Sequence, residues 1–345
     1  MTGTDSLSSG RLREAQRLSD DARSADTSGD AVRALALYDQ AIELMDVTPQ
    51  HPFLADLLRW KGTVHRELGE TGTAFLLYER SLHLAAGLGV PLASAHAYNC
   101  LGVVAQRRGD LVTGEQHYAR ASDIAGEVGD HQLLGMVEQN RGVLASMRGD
   151  RGLARERYEG SLAAFEQAGN VEAMSWVLNN LAMLHTAEGR YAEAGEAIER
   201  GLSIATKRGD VRMQALLHLN RAELCIAMEQ WAEADESSVL ALQLVQRRGD
   251  LLQTAEVLRV RAMVQRHRGD YAAARISLDR ARVLAEAGSD ALLAAEIMRE
   301  SGKLATQAGD ADRARSAWQQ AAVGFQAIGV HHEADAAERH LALLR

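Results

Sequence analysis

A chain of 345 residues has room for two or three ordinary domains, yet its composition is uniform from about Gly10 onward, so length does not decide the domain count. Aromatics make up 4% and Pro only 3 residues while Ala, Leu, Arg and Glu dominate, which favours helices with small side chains at close contacts and speaks against a sheet. A formal charge of -9 argues against a general affinity for nucleic acid or anionic membrane, because both require a basic surface.

The chain opens with MTGTDSLSSG, rich in Ser, Thr and Gly, which predicts a disordered tail over residues 1 to about 10. It has no basic and apolar leader, and no apolar run reaches the length of a membrane span, so a soluble, cytoplasmic protein is expected. Cys100 and Cys225 lie inside helical runs with no metal or disulfide spacing. From Arg11 onward, turn positions recur every 40 residues at Gly29, Gly69, Gly109, Gly149, Gly189, Glu229, Gly269 and Gly309. A second set keeps the same beat at Gly89, Gly129, Gly169, Gly209, Gly249, Ser289 and Gly329, with Pro49 and Pro52 in place of Gly after the first unit. Between turns the apolar residues fall at helical spacing, as with Leu178, Leu181 and Leu184 before Gly189 and Tyr191, Ala194, Ile198 and Leu202 after it. Each unit therefore reads as a helix-turn-helix hairpin.

Three small-residue columns test this register, because helix axes that approach closely need small side chains between them. They are Ala22, Gly62, Gly102, Gly142, Ala182, Ala222, Ala262 and Gly302; Ala34 to Ala314 at the same step; and Ala41 to Ala321. Between the last two stands a mostly bulky column, Tyr38, Tyr78, Tyr118, Tyr158, Ile198, Ser238, Leu278 and Trp318, expected to fill the space its neighbours leave. Tyr98 with Leu101-Gly102 and Gly114-x-x-x-Tyr118, then Ala154-x-x-x-Tyr158 and Ala314-x-x-x-Trp318, resemble the tetratricopeptide repeat pattern over residues 11 to 330. The period is 40, longer than the family's usual repeat, and is similar to Leu-Gly-Asn-type adaptor repeats and the regulatory repeats of bacterial peptide-pheromone receptors.

The resemblance implies an all-α right-handed superhelical solenoid: eight hairpins in one array over residues 11–345, closed by a capping helix at about residues 331–344. It also implies a concave groove that binds peptides or proteins. The column Asp20, Trp60, Cys100, Asn140, Asn180, Asn220, Val260 and Glu300 would face that groove, with Asn99, Gln139 and Asn179 beside it. Asn is a poor residue for a helix interior, so three in register call for a reason. An Asn amide can hold an extended peptide backbone by donor and acceptor together; alternatively each bonds a neighbouring helix or faces water. By the same analogy Met136, Met147, Trp176, Met183, Leu216, Leu219 and Met263 form an apolar strip, or belong to the core. Toward the C-terminus the groove would turn charged, with Arg259, Arg266, Arg299 and Lys303 among Glu256, Glu296 and Glu300, suiting a partner of mixed or acidic character. The Lys and Asn pattern of a chaperone-tail clamp is absent. Arg141, Arg221 and Arg261 stand where the family usually has Leu and are expected to reach an acid on the next hairpin.

No catalytic motif is present: Gly302-Lys303 lacks the other residues of a phosphate loop, and there is no metalloprotease or serine-elbow signature. His331, His332, Glu333, Asp335 and His340 read better as a solvated face than as a metal site. The reading is a binding scaffold without catalytic residues, cofactor or metal, taking a protein or peptide partner in the groove. The alternatives are a peptide-signal sensor and an architectural oligomer that uses its convex face.

Overall fold

The computed structural model describes residues 3–46 and 51–344, with side chains from Ser9 onward; Pro49, read above as a turn, lies outside the described residues. Seventeen helices and no strand occur among them, and the residues group into two compact units, Met1–Asn170 and Val171–Arg345. The first unit pairs α1 (Gly3–Thr27) with α2 (Ala31–Asp46), α3 (Pro52–Glu67) with α4 (Thr71–Gly87), α5 (Pro91–Arg107) with α6 (Leu111–Val128), and α7 (His131–Met147) with α8 (Arg151–Ala168). The second pairs α9 (Val171–Ala187) with α10 (Tyr191–Arg208), α11 (Val211–Ala227) with α12 (Trp231–Arg248), α13 (Leu251–His267) with α14 (Tyr271–Ala287), and α15 (Ala291–Gln307) with α16 (Ala311–Ala327). A last helix, α17 (His331–Ala342), packs on α16. Eight hairpins and a closing helix are thus present.

One boundary differs: α1 is helical from Gly3, through most of the stretch expected to be a tail. Among its described side chains the first buried one is Ala15, so packing anchors the C-terminal half. Once that half has nucleated, each further turn adds hydrogen bonds at little extra cost.

The turns work as their residues demand. Glycines at both sets of turn positions adopt positive φ, and where Gly is replaced the conformation persists, with Glu229 at φ 59° and Ser289 at φ 56°. The Asp that often follows caps the next helix: the carboxylates of Asp110, Asp130, Asp150, Asp210, Asp250, Asp270, Asp290 and Asp310 each accept from the backbone N–H three residues on. Gly-Asp therefore ends one helix and starts another. At Gly288, just before Ser289, an added Cβ would run into Leu252. Replacing Ser289 by Gly should relieve the left-handed strain and stabilise the second unit by about 0.5 to 1 kcal/mol. Thermal melts check this, and an unchanged or lower midpoint would count against the strain.

Each hairpin closes as its small and bulky columns require. The Tyr78, Tyr118 and Tyr158 rings lie over Gly62, Gly102 and Gly142, and the Trp318 ring lies over Gly302. Their polar tips are satisfied within the hairpin: Tyr118 Oη donates to Gln106 Oε1 (2.9 Å) and Trp318 Nε1 to Thr306 Oγ1 (3.1 Å). Arg141 reaches Glu115 at 2.7 Å, Arg221 pairs with Glu199, and Arg261 lies 4.0 Å from Asp235. These acids sit on the preceding hairpin, not the next as expected, because a first helix packs against the second helix that precedes it.

Within each unit the first helices also touch one another, α3 with α5, α5 with α7, α9 with α11, α11 with α13 and α13 with α15. Among the described residues successive second helices make no comparable contact, so each unit bends toward its first helices and makes that face its concave side.

Candidate functional site

On the first-helix face of the first unit, Asn140 of α7 donates through Nδ2 to Asn99 Oδ1 of α5 at 2.9 Å. In the second unit Asn220 of α11 donates to Asn179 Oδ1 of α9 at 2.8 Å. The expected column of Asn140, Asn180 and Asn220 is therefore not a ladder of equivalent, open amides. The amides pair across hairpins between two adjacent columns, a residue with the one 41 positions earlier, and bonding to a neighbouring helix accounts for one bond of each pair. Asn179 Nδ2 turns to Asn180 Oδ1 (3.5 Å) and to Met183 Sδ (3.8 Å). No hydrogen bond among the described residues uses the carbonyl oxygens of Asn140 and Asn220 or the amino group of Asn99. Gln139 lies half-buried next to Asn140.

The apolar strip is present in part. Met136, Met147 and Met183 are exposed, the last two by about half (54% and 53%). Met263 and Leu216 are half-buried. Leu219 is core, sharing an apolar cluster with Val257 and Val260. Trp176 is half-buried, with the Arg212 guanidinium 5.1 Å from its ring centre, a cation–π contact between α9 and α11.

The charged residues are largely engaged with one another. Arg259 is buried, with Nη2 3.3 Å from Glu223 and Nε 3.6 Å from Glu296. Burial works against its charge, but Glu223, Glu296, Glu256 and Glu300 outweigh that and raise its pKa further. Glu300, 2% exposed, is held by Lys303 at 2.7 Å with Arg266 and Arg299 near it, and Arg299 also reaches Glu333 of α17 at 2.9 Å. Burial raises the Glu223 and Glu256 pKa values above the ordinary carboxylate range; neighbouring carboxylates add to this and Arg259 opposes it.

Between α9, α11 and α13 a recess of about 330 Å³ opens, lined by Met183, Thr186, Ala187, Asn220, Glu223, Ile226, Ala227 and Met263. It brings together three of the residues singled out in the sequence, Met183, Asn220 and Met263. Glu223 was missed although Met183, Met263 and Lys303 of its own column were singled out, since no other unit has an acid there. The histidine-rich stretch is taken up otherwise: His340 stacks on Trp318 with ring centres 4.3 Å apart. Among the described residues no cluster of His, Cys, Asp or Glu is arranged to hold a metal, and no helix is long and apolar enough to cross a membrane.

Residues 93–167 match the family model described as tetratricopeptide repeat. Over these residues the chain carries tetratricopeptide repeats. No curated protein matches it in sequence. Among solved structures, these repeats are similar to a signal transduction ATPase with numerous domains and a tetratricopeptide repeat sensor, from Pyrococcus horikoshii (16% identity, TM-score 0.56). That match covers 78% of this chain but only 43% of the ATPase. A Rap protein complexed with competence and sporulation factor shares 13% identity at TM-score 0.58, covering 96% of this chain and 98% of that one. The apo quorum sensor NprR from B. thuringiensis shares 14% at TM-score 0.60, with 96% and 99% covered. At such identities the likeness is one of fold.

Proposed function

We propose that this tetratricopeptide chain is a binding scaffold that takes an extended peptide or protein segment along its first-helix face. The observation that carries the reading is the open amide capacity left on that face after Asn140 has bonded Asn99 and Asn220 has bonded Asn179, beside exposed methionines. An extended strand presents backbone N–H and C=O at regular spacing, and amides with free donor or acceptor positions can meet both regardless of sequence. Met adapts its shape to varied side chains. Gln139 and Met136 belong to this face in the first unit, and Asn180, Trp176 and Leu216 in the second, with Arg259 and Arg299 at the charged end of the second.

A peptide-signal sensor is the narrower form of this reading. It draws support from the Rap protein captured with competence and sporulation factor and from NprR, a quorum sensor, which share the fold.

The test is binding of random hexapeptide pools and retention of partners from the native lysate, comparing substitutions on the two faces. Met147→Glu and Met183→Glu change exposed side chains of first helices, whereas Val112→Glu and Ile276→Glu change exposed side chains of second helices. The first pair should lower binding about tenfold or more at an unchanged melting temperature, because a carboxylate replaces an apolar contact and must be desolvated. The second pair should leave it intact. Retained binding in the first pair, with partners lost in the second, would move the architectural reading ahead.

A further inference from the structure

We propose that the recess between α9, α11 and α13 is a pocket for a basic side chain, lysine or arginine, of the bound segment. The inference rests on the first-helix face being the peptide-binding face. It assigns chemistry to one subsite there.

The walls come from Met183, Ile226, Met263, Ala187 and Ala227, an apolar lining that suits a long aliphatic stem. The polar part of the lining offers more free acceptors than free donors. Asn220, only 6% exposed, gives one of its two Nδ2 hydrogens to Asn179, and its carbonyl oxygen has no hydrogen-bond partner among the described residues. Thr186 donates its hydroxyl proton to Ala182 O at 2.8 Å, which leaves its oxygen to accept. Glu223 adds a carboxylate. A floor of acceptors below apolar walls selects a strong donor on an apolar stem, and an ammonium or guanidinium group is that donor.

The charge balance points the same way. One buried cation, Arg259, is shared between Glu223, which it meets in a hydrogen bond of 3.3 Å, and Glu296 at 3.6 Å, while nearby Glu256 makes no ion pair among the described residues. The other cations are drawn elsewhere, Lys303 to Glu300 and Arg299 to Glu333. Three carboxylates around one guanidinium leave negative charge next to the recess without a cation of its own; burial first, and the neighbouring carboxylates after it, raise the Glu223 and Glu256 pKa values. A second cation entering beside Glu223 would relieve that charge without displacing Arg259 from Glu296.

The experiment uses the full chain and N-acetylated, C-amidated hexapeptide pools in which each position in turn is fixed as Lys, Arg, norleucine or Glu. At one position the Lys and Arg pools should bind at least about tenfold more tightly than the norleucine pool, with Glu weakest, as expected for a charge-assisted hydrogen bond. Glu223→Gln should erase the preference for Lys over norleucine. As a second variant, Met183→Lys places a tethered ammonium at the mouth of the recess and should abolish the preference from an exposed position that the fold does not depend on. If norleucine matches Lys at every position, or if both variants keep the preference, the pocket is overturned while the groove reading stands. If no pool binds at all, the groove reading falls and the pocket with it.

Discussion

Replacing Gly142 by leucine is expected to destabilise the first unit by about 2 to 3 kcal/mol or more, lowering its melting temperature by several degrees. Even a Cβ at this position would lie 2.5 Å from the Tyr158 ring, and Tyr158 is 4% exposed with α7 and α8 close on either side. The ring cannot swing away without opening the hairpin, because no empty space lies behind it in a close-packed interior. The contrast that isolates this cause is Gly126, also inside a helix of the same unit, where an added Cβ meets nothing within 4 Å. There Gly126→Ala should stabilise by about 0.5 to 1 kcal/mol through helix propensity. Circular-dichroism melts of the two variants should move in opposite directions. A Gly142→Leu protein that melts with wild type would show that α7 and α8 do not approach as described.

That pair of glycines also shows what the sequence made legible. The column running through Gly62, Gly102, Gly142 and Gly302 could be read as a close approach because its members recur in register, and each meets the aromatic sixteen residues later, as Gly102 meets Tyr118. Glu229 and Ser289 could be placed as turns by period alone, against their own preferences, and they take the left-handed conformation. Repetition supplies many readings of one environment.

It supplies less where the environment changes along the array. The amide columns lie on first helices, and their mutual bonds were not foreseen, because a register read in steps of 40 compares each residue with its own column. The contacts run instead between columns, 41 residues apart, and along this offset the chemistry is matched. Asn140 meets Asn99, Asn220 meets Asn179, Leu219 and Val260 share one apolar cluster, and Glu300 lies in the field of Arg259. Setting one column beside the other with that shift would have shown the pairing from sequence. The recess has no such signal, since Glu223 stands alone in its column and the acceptor-rich floor follows from which donors are already spent.

The last helix carries the other large effect. Removing His331 to Arg345 is expected to make the second unit fray from α16 and the protein associate. Ala334 and Ala337 of α17 are buried, and Leu341 and Leu344 pack into the cluster around Trp318, Ala321 and Phe325. His340 stacks on the Trp318 ring, and Glu333 holds Arg299, which lies over Phe325. Without α17, two rings that are now 2% and 1% exposed would face water on one side. At about 1.5 to 3 kcal/mol for each large apolar side chain taken from buried to exposed, partial exposure of both costs several kcal/mol. The exposed patch would be apolar and continuous, the kind of surface that recruits a second copy. Hydrogen exchange should then show lost protection in α15 and α16 with α9 to α12 little changed, because each hairpin packs mainly on its neighbours. Sedimentation should show concentration-dependent association. The same truncation tests the charged end of the groove, since Arg299 loses Glu333 and is left beside Glu300, which Lys303 already holds. A truncated protein that stays monomeric, with full protection in α16, would mean that the Trp318 and Phe325 cluster closes without α17.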